Sequence, residues 1–462
     1  MFSAVGLIAG FRTGELSPVD VTRACLQRIE TDDPALNAFC LVDPDRALAD
    51  ARGAEGRWRA GDPCGALDGV PVAIKDVLPT VGWPTLRGSR AIDPDQAWET
   101  DAPAVAAVRR HGGVLVGKTT TPELGWKAVT DSPLTGVSRN PWDQTRTCGG
   151  SSGGSAVALA TGMAALSIGT DGGGSIRVPS AFCGLPGLKP TFGRVPAWPA
   201  SPFGDLSHVG PMARTVADLA LMLDVLVEPD LRAWSALPPP GYSYRDRLAD
   251  GASGLRIAWS PTLGYVNIES EVAEVTARAA AAFEELGASV EAVDPGFADP
   301  RGAFDVLWSS GAAKAVANLG GSSDEILDPD LVGVVRGGRR HSALAFIDAL
   351  QRRDELAIQM SLFHRDWDLL LTPTVPLTAF AAGRQVPEGW PDPHWPSWTG
   401  FTYPFNLTQQ PAASVPCGVS ADGLPIGLQI VGPRFRDDLV LRAAAAYEAA
   451  HPAPLPPGAT GA

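Results

Sequence analysis

Lysine is scarce in this 462-residue chain: only five of its 37 basic residues are lysines, at positions 75, 118, 127, 189 and 314. Arginine therefore carries the positive surface charge, and any lysine inside an apolar run calls for a reason. Cysteine is sparse as well. Its six residues, at 25, 40, 64, 148, 183 and 417, form no CxxC pair and no metal-ligand spacing. They are expected to be small core residues of a reducing compartment rather than disulfide staples or metal ligands. The six histidines are scattered without an HExxH pattern, so zinc chemistry is not expected, and no cofactor or metal is called for. No apolar run approaches the ~20 residues that cross a bilayer. Residues 2–9 are apolar but lack a basic leader and a cleavage site, so they read as the first turn of a helix and the expected location is cytoplasmic. A net charge of −14 argues against sequence-independent binding to nucleic acid or anionic membranes. With 45% hydrophobic and 19% charged residues, the chain has a globular composition.

Glycine and serine are abundant in one place. The stretch 148–177, CGGSSGGSAVALATGMAALSIGTDGGGSIR, holds two glycine-rich loops, GGSSGGS and GTDGGGS, each ending in serine. Glycine permits unusual backbone angles and close approach of a ligand to main-chain N–H groups. Residues 156–164 have a helical pattern, and 166–168 read as a short buried strand ending at Thr170. Ser175 then follows a strand end and three glycines whose N–H groups could stabilise an oxyanion. A single such loop would more often be a flexible turn than a catalytic loop. Two in one unit favour a nucleophile site.

These loops resemble the core motif of the amidase signature family, GGSSGGS followed by GTDxGGSIR. The resemblance implies a triad of serine, cis-serine and lysine, carried here by Ser175 as nucleophile, Ser151 as cis-serine and Lys75, in the run GVPVAIKD, as base. It also implies an oxyanion hole from the backbone of Gly172, Gly173, Gly174 and Ser175. Asp171 and Arg177 flank that loop, either as a surface ion pair or as its brace. The implied fold is a single α/β domain over 1–462, with a mixed central β-sheet covered by helices on both faces. Within it, 66–220 would be the catalytic core and 295–403 a variable helical and aromatic substrate-pocket region. The runs PSAFCGLPGLKPTFGRVP and NLTQQPAASVPCGVSADGLPIGLQIV follow the family closely. Two departures stand out. Gly172 replaces a commonly larger residue, which predicts a looser oxyanion loop or a wider site, and Cys148 stands where proline or alanine is common.

Elsewhere, Ser17-Pro18 marks a helix start, with Val21, Cys25 and Ile29 on one face. Residues 69–74 read as a strand, 101–111 as a helix and 114–116 as a strand. The segment 112–119, GGVLVGKT, matches the phosphate-loop pattern GxxxxGK[ST], but such a loop requires strand, loop and then helix. Here the order is helix, strand, loop, which makes Lys118 a strand-end residue. Residues 122–148 read as a long loop over the site, where Trp126 is either an acyl-pocket wall or core. Helices are expected over 215–227 and 270–286, mainly helical structure over 295–365, and strands over 255–259 and 367–371. Trp390, Trp395, Trp398, Phe401 and Tyr403 either pack a proline-rich loop or line an apolar pocket, so Trp126, Trp398 and Tyr403 are the candidate substrate-binding residues.

The function expected from the resemblance is metal-independent hydrolysis of a small carboxamide, aryl amide or hydrazide through an acyl-enzyme. One alternative is the glutaminase subunit of a tRNA-dependent amidotransferase, although 295–365 holds no recognisable glutamine-site segment. A nucleotide-binding protein acting through 112–119 and a catalytically dead binding protein complete the set. The expected partner is a small amide-type molecule, with no nucleic acid or membrane; a homodimer stays open.

Overall fold

In the computed structural model, which describes residues 3–320 and 324–457, alternate residues of the central strands feed different apolar cores. Val72 and Ile74 face one cluster and Ala73 another; Leu369 and Leu371 face that same first cluster, whereas Leu370 faces a third. Strands buried on both faces need near-continuous apolar runs, which is why PVAI and LLL carry no polar alternation.

The strands are β1 Phe39–Val42, β2 Pro71–Lys75, β3 Val114–Thr119, β4 Asp131–Ser132, β5 Gly136–Val137, β6 Leu166–Asp171 and β7 Gly187–Lys189, then β8 His208–Ala213, β9 Arg256–Trp259, β10 Ser289–Ala292, β11 Leu369–Pro373, β12 Ala412–Val419 and β13 Pro425–Val431. Among the described residues, eleven of them make one sheet in the order β1-β3-β2-β6-β8-β7-β12-β13-β11-β9-β10, and β4 and β5 form a separate hairpin. β2 runs parallel to β3 and β6, while β8 is antiparallel to β6 and β12 is antiparallel to β7 and β13. The fold is therefore the expected single-domain α/β architecture with a mixed sheet flanked by helices.

Local chemistry sets the helix ends. Pro18–Leu36 begins at Ser17, whose Oγ accepts from the N–H groups of Val19 and Asp20. Thr22, Cys25 and Ile29 form its buried face, with Val21 only half-buried. The expected helix at 101–111 is Pro103–Arg110, and that at 156–164 is the shorter Gly153–Ala160. Region 295–365 is helical as expected, in Arg301–Ala317, Pro329–Gly338 and Ala343–Phe363. The helix Pro44–Ala60 has no counterpart in the sequence reading; its buried face consists only of Ala47, Ala51 and Ala54, too weak an apolar stripe to stand out. The first-turn reading of 2–9 holds for Ala4–Thr13, and Phe2 lies outside the described residues, as do 458–462 of the tail. The cysteine expectation holds for half of the set: Cys25, Cys148 and Cys183 are buried, whereas Cys40 and Cys64 are exposed and Cys417 is half-buried. Among the described residues no helix is long and apolar enough to cross a membrane.

Two features of this architecture prepare the site. The neighbouring parallel strands β2 and β6 end side by side, so Lys75 at the end of β2 meets Thr170 and Asp171 at the end of β6. Four of the five lysines, Lys75, Lys118, Lys127 and Lys189, are at most 4% exposed. In this chain the rare cation is an interior residue.

Candidate active site

Lys75 is wholly buried, and its Nζ lies 2.6 Å from Ser151 Oγ and 2.9 Å from Thr170 Oγ1. Burial pushes the amine down to about 7, opposed only by the charge of Asp171. A lysine with that value is a usable base near neutral pH. Ser151 follows a cis peptide from Gly150 and precedes the helix Gly153–Ala160. Ser152 ties the two glycine-rich loops together: its N–H donates to the Ser175 carbonyl at 3.1 Å, and its Oγ donates to the Thr170 carbonyl at 3.1 Å. Ser175 is 7% exposed, and among the described residues its Oγ has no hydrogen-bond partner. Ser151, Thr170, Gly172 and Ser175 share the wall of a cavity of about 690 Å³.

The loop 172–175 hangs on Asp171 and Arg177, both fully buried. Asp171 Oδ1 accepts from Gly174 N–H at 2.7 Å, and Oδ2 accepts from Ile176 N–H at 3.1 Å. Arg177 grips the same carboxylate through Nε and Nη2, each at 2.9 Å, and donates onward to Asn406, Gln429 and the Thr402 carbonyl. Burial pushes the Asp171 carboxyl up, but Arg177 outweighs it and holds the group well below the usual carboxylate range. The pair is a buried brace, not a surface contact. Gly174 adopts φ +128°, and a Cβ there would sit 2.5 Å from Thr402 Oγ1, so only glycine fits the turn.

This brace takes one N–H of the expected oxyanion set. The Gly174 N–H is consumed by Asp171 and is unavailable to a ligand. The N–H groups of Gly172, Gly173 and Ser175 make no hydrogen bond among the described residues. Gly172 brings a second adjustment, because a Cβ there would sit 2.8 Å from the Trp308 ring. The space freed by glycine is filled by an indole, so the site is not simply widened. Gly172→Ala is expected to displace Trp308 and lower kcat/KM about tenfold or more, since a small misplacement at a reacting centre is costly. Recovery in Gly172→Ala/Trp308→Phe, measured by steady-state kinetics, would identify the ring as the cause.

The three aromatic candidates do not reach the cavity. Trp126 is buried, with its Nε1 on Asp328. Trp398 stacks on Phe182 at 5.9 Å, and Tyr403 stacks on Phe304 at 4.9 Å with its hydroxyl on Asp299. Trp126 and Tyr403 instead back Trp308: the Trp126 carbonyl accepts from Trp308 Nε1 at 3.1 Å, and Phe304 lies between Tyr403 and Trp308. The aromatic wall is Phe192, Trp198, Phe203, Trp234 and Trp308. Sequence reasoning missed these because they come from three separate segments with no shared periodicity. It missed His208 too, whose Nδ1 donates to the Leu206 carbonyl at 2.8 Å. Burial pushes that imidazole well below its ordinary range; the residue lines the cavity, and its Nε2 is buried without a partner.

The nucleotide-binding alternative has no structural footing. Val114–Thr119 of the GxxxxGKT match is the buried strand β3, and Lys118 Nζ is taken by the Leu78 carbonyl, Thr85 Oγ1 and Asp76. No loop is left to wrap a phosphate.

With the geometry in place, comparison with known proteins gives one answer. The amidase family profile matches residues 20–441. The chain belongs to the amidase family. It is 36% identical to an acylamidase of Rhodococcus erythropolis, over 97% of this chain and 95% of that protein. It is also 36% identical to a glutamyl-tRNA(Gln) amidotransferase component of Chloroflexus aurantiacus, over 95% and 94% of the two chains. Among solved structures it resembles a bacterial aryl acylamidase of the amidase signature family, with a TM-score of 0.91 and 31% identity over 98% of this chain and 96% of that one. A 6-aminohexanoate cyclic dimer hydrolase superposes with a TM-score of 0.89 at 28% identity, covering 98% and 97% of the chains. As a member of this family the chain is a hydrolase of carbon–nitrogen bonds.

Proposed function

We propose that this amidase cleaves a small carboxamide, with an aryl amide as the first candidate, through an acyl-enzyme on Ser175. The observation that carries the reading is a buried Lys75 amine 2.6 Å from the Oγ of Ser151, a residue that lines the same cavity as Ser175. Neutral Lys75 takes the Ser151 proton as Ser151 takes that of Ser175, whose unpartnered hydroxyl is free to turn toward it. Ser175 Oγ attacks the carbonyl carbon, and the oxyanion meets the N–H groups of Gly172, Gly173 and Ser175. Each such donor lowers the barrier by roughly 3–4 kcal/mol in other hydrolases. The proton returns through Ser151 to the departing nitrogen as the C–N bond breaks. Water then attacks the Ser175 ester by the same relay, releasing the acid. The aromatic wall supports an aryl-bearing substrate, and the acylamidase and aryl acylamidase among the relatives point the same way.

The test is hydrolysis of a panel of anilides, aliphatic amides, esters and hydrazides, followed by mass spectrometry. Turnover of none of them would defeat the reading. Because the neutral amine is the active form, kcat/KM is expected to rise with pH through a single ionisation near 7 and then level off. A flat profile from pH 5 to 9 would remove Lys75 as the base.

A second reading, the glutaminase subunit of a tRNA-dependent amidotransferase, is favoured by several relatives that are glutamyl-tRNA(Gln) amidotransferase subunits, the Chloroflexus protein among them. Glutamine hydrolysis that appears only with copurified partner proteins would establish it. Residues 66–220 remain our proposed catalytic core, and 295–403 our substrate-pocket region, supported by the place of Trp308 in the wall. A cytoplasmic location is supported by the buried free thiols of Cys25, Cys148 and Cys183, and loss of activity from the soluble lysate fraction would count against it. Exposed Leu344, Ile347, Ile358 and Leu362 on the helix Ala343–Phe363 support a homodimer, which sedimentation equilibrium would read directly.

A further inference from the structure

Three charged side chains line the cavity: Arg87, Asp205 and Arg232. Two have partners. Asp205 accepts from Arg353 Nη1 at 2.6 Å and from Gln409 at 3.1 Å, and Arg232 pairs with Asp230 at 2.6 Å. Among the described residues the Arg87 guanidinium has no ion pair and no hydrogen bond, and its Nε is buried without a partner. The acid closest in its surroundings, Asp76, is committed elsewhere: one oxygen accepts the Arg87 backbone N–H at 2.8 Å, and the other lies 3.2 Å from Lys118 Nζ. That leaves Arg87 and Lys118 facing a single carboxylate. Burial pushes the Arg87 guanidinium below its ordinary range, opposed only by the Asp76 carboxylate that it shares with Lys118.

The backbone holds this residue deliberately. Arg87 has φ +54°, in the left-handed region that a long side chain seldom occupies. Its N–H is fixed by Asp76 and its carbonyl accepts from Leu124 N–H at 2.7 Å. Leu124 leads into Gly125, where a Cβ would stand 3.5 Å from Ser151 Oγ. The strained residue is thus tied to the same segment that borders the serine. An unpaired guanidinium in a partly enclosed cavity offers a planar fork matched to a carboxylate.

We propose that Arg87 is the anchor of an anion subsite, and that the substrate is a small amide carrying a carboxylate away from the scissile bond. The inference rests on the amidase reading above. Two matched substrate pairs test it on either side of the amide: 4-acetamidobenzoate against 4-methylacetanilide, and glutaric acid monoanilide against pentananilide. In at least one pair the wild type is expected to favour the carboxylate in kcat/KM by about tenfold or more, in line with a hydrogen-bonded charge. Arg87→Gln is expected to reduce that ratio at least about tenfold, chiefly through KM, and Arg87→Lys to restore part of it. A wild type with no carboxylate preference in either pair, or an Arg87→Gln enzyme with an unchanged ratio, would overturn the subsite. Isothermal titration of the same four compounds reads the preference without turnover. If the carboxylates bind in an Arg87-dependent way and none of the four is hydrolysed, the subsite stands and the hydrolytic reading is what fails.

Discussion

Ser175→Ala is expected to lower kcat by about 10⁴-fold or more on any amide the wild type hydrolyses, because no acyl-enzyme can form without the nucleophile. Lys75→Ala should come close to the same loss. It removes the base and leaves Ser151 Oγ without its partner at 2.6 Å. Groups that move one proton act as a unit, so Ser175→Ala/Lys75→Ala should be scarcely slower than Ser175→Ala alone. Single-turnover and steady-state rates of the three variants check this. Independent, multiplying losses would mean that Lys75 acts in some step other than activating Ser175. Retained folding, read by circular dichroism, is expected for Ser175→Ala, since its Oγ bonds to no other described group and only a small void is left.

Asp171→Ala has the largest expected effect on stability. Removing the carboxylate leaves Arg177 buried and unpaired, and breaking a buried pair by deleting one partner costs about 3–5 kcal/mol. The Gly174 and Ile176 N–H groups lose their acceptor in the same step. For a chain of this length that corresponds to a fall in the thermal midpoint of roughly 3–5 °C, measured by calorimetry. Activity should fall further than stability, because the freed Gly172–Ser175 loop no longer holds its N–H groups in place. Arg232→Ala, which breaks the exposed pair with Asp230, should move the midpoint little by comparison. The sign with acid follows from the depressed carboxyl. Its contribution is complete above the ordinary aspartate range and is lost as pH falls toward the lower folded value, so Asp171→Ala and wild type should converge in stability under strong acid.

Much of the site was legible in the chain itself. The two glycine-rich serine loops and the GVPVAIKD run point to Ser151, Ser175 and Lys75, since each motif is local and its spacing is part of the signal. Part of the sheet was legible too, because strands such as β2, β3 and β11, buried on both faces, write themselves as unbroken apolar runs, whereas β1, β7, β8 and β10 had no counterpart in the sequence reading. What escaped was long-range. The Gly174 N–H counts as a donor in sequence, yet a carboxylate three residues earlier turns back and takes it. The room implied by Gly172 is closed by Trp308, 136 positions further on. Trp126, Trp398 and Tyr403 have the composition of a pocket wall, but Trp126 and Tyr403 stand behind it and Trp398 packs on Phe182 and Phe380. An aromatic ring is equally suited to line a cavity or to pack its lining, and only the neighbours decide which. Arg87 gave no signal at all, since an arginine in a loop is ordinary until its guanidinium is seen to be unpaired.

The most direct measurement of the central claim is peptide mapping by mass spectrometry after incubation with a fluorophosphonate, run near pH 8 where Lys75 is largely neutral. The predicted result is one adduct on the peptide bearing Ser175, formed more slowly in Lys75→Ala. An adduct on Ser151 or on any other side chain, with Ser175 unmodified, would contradict the account.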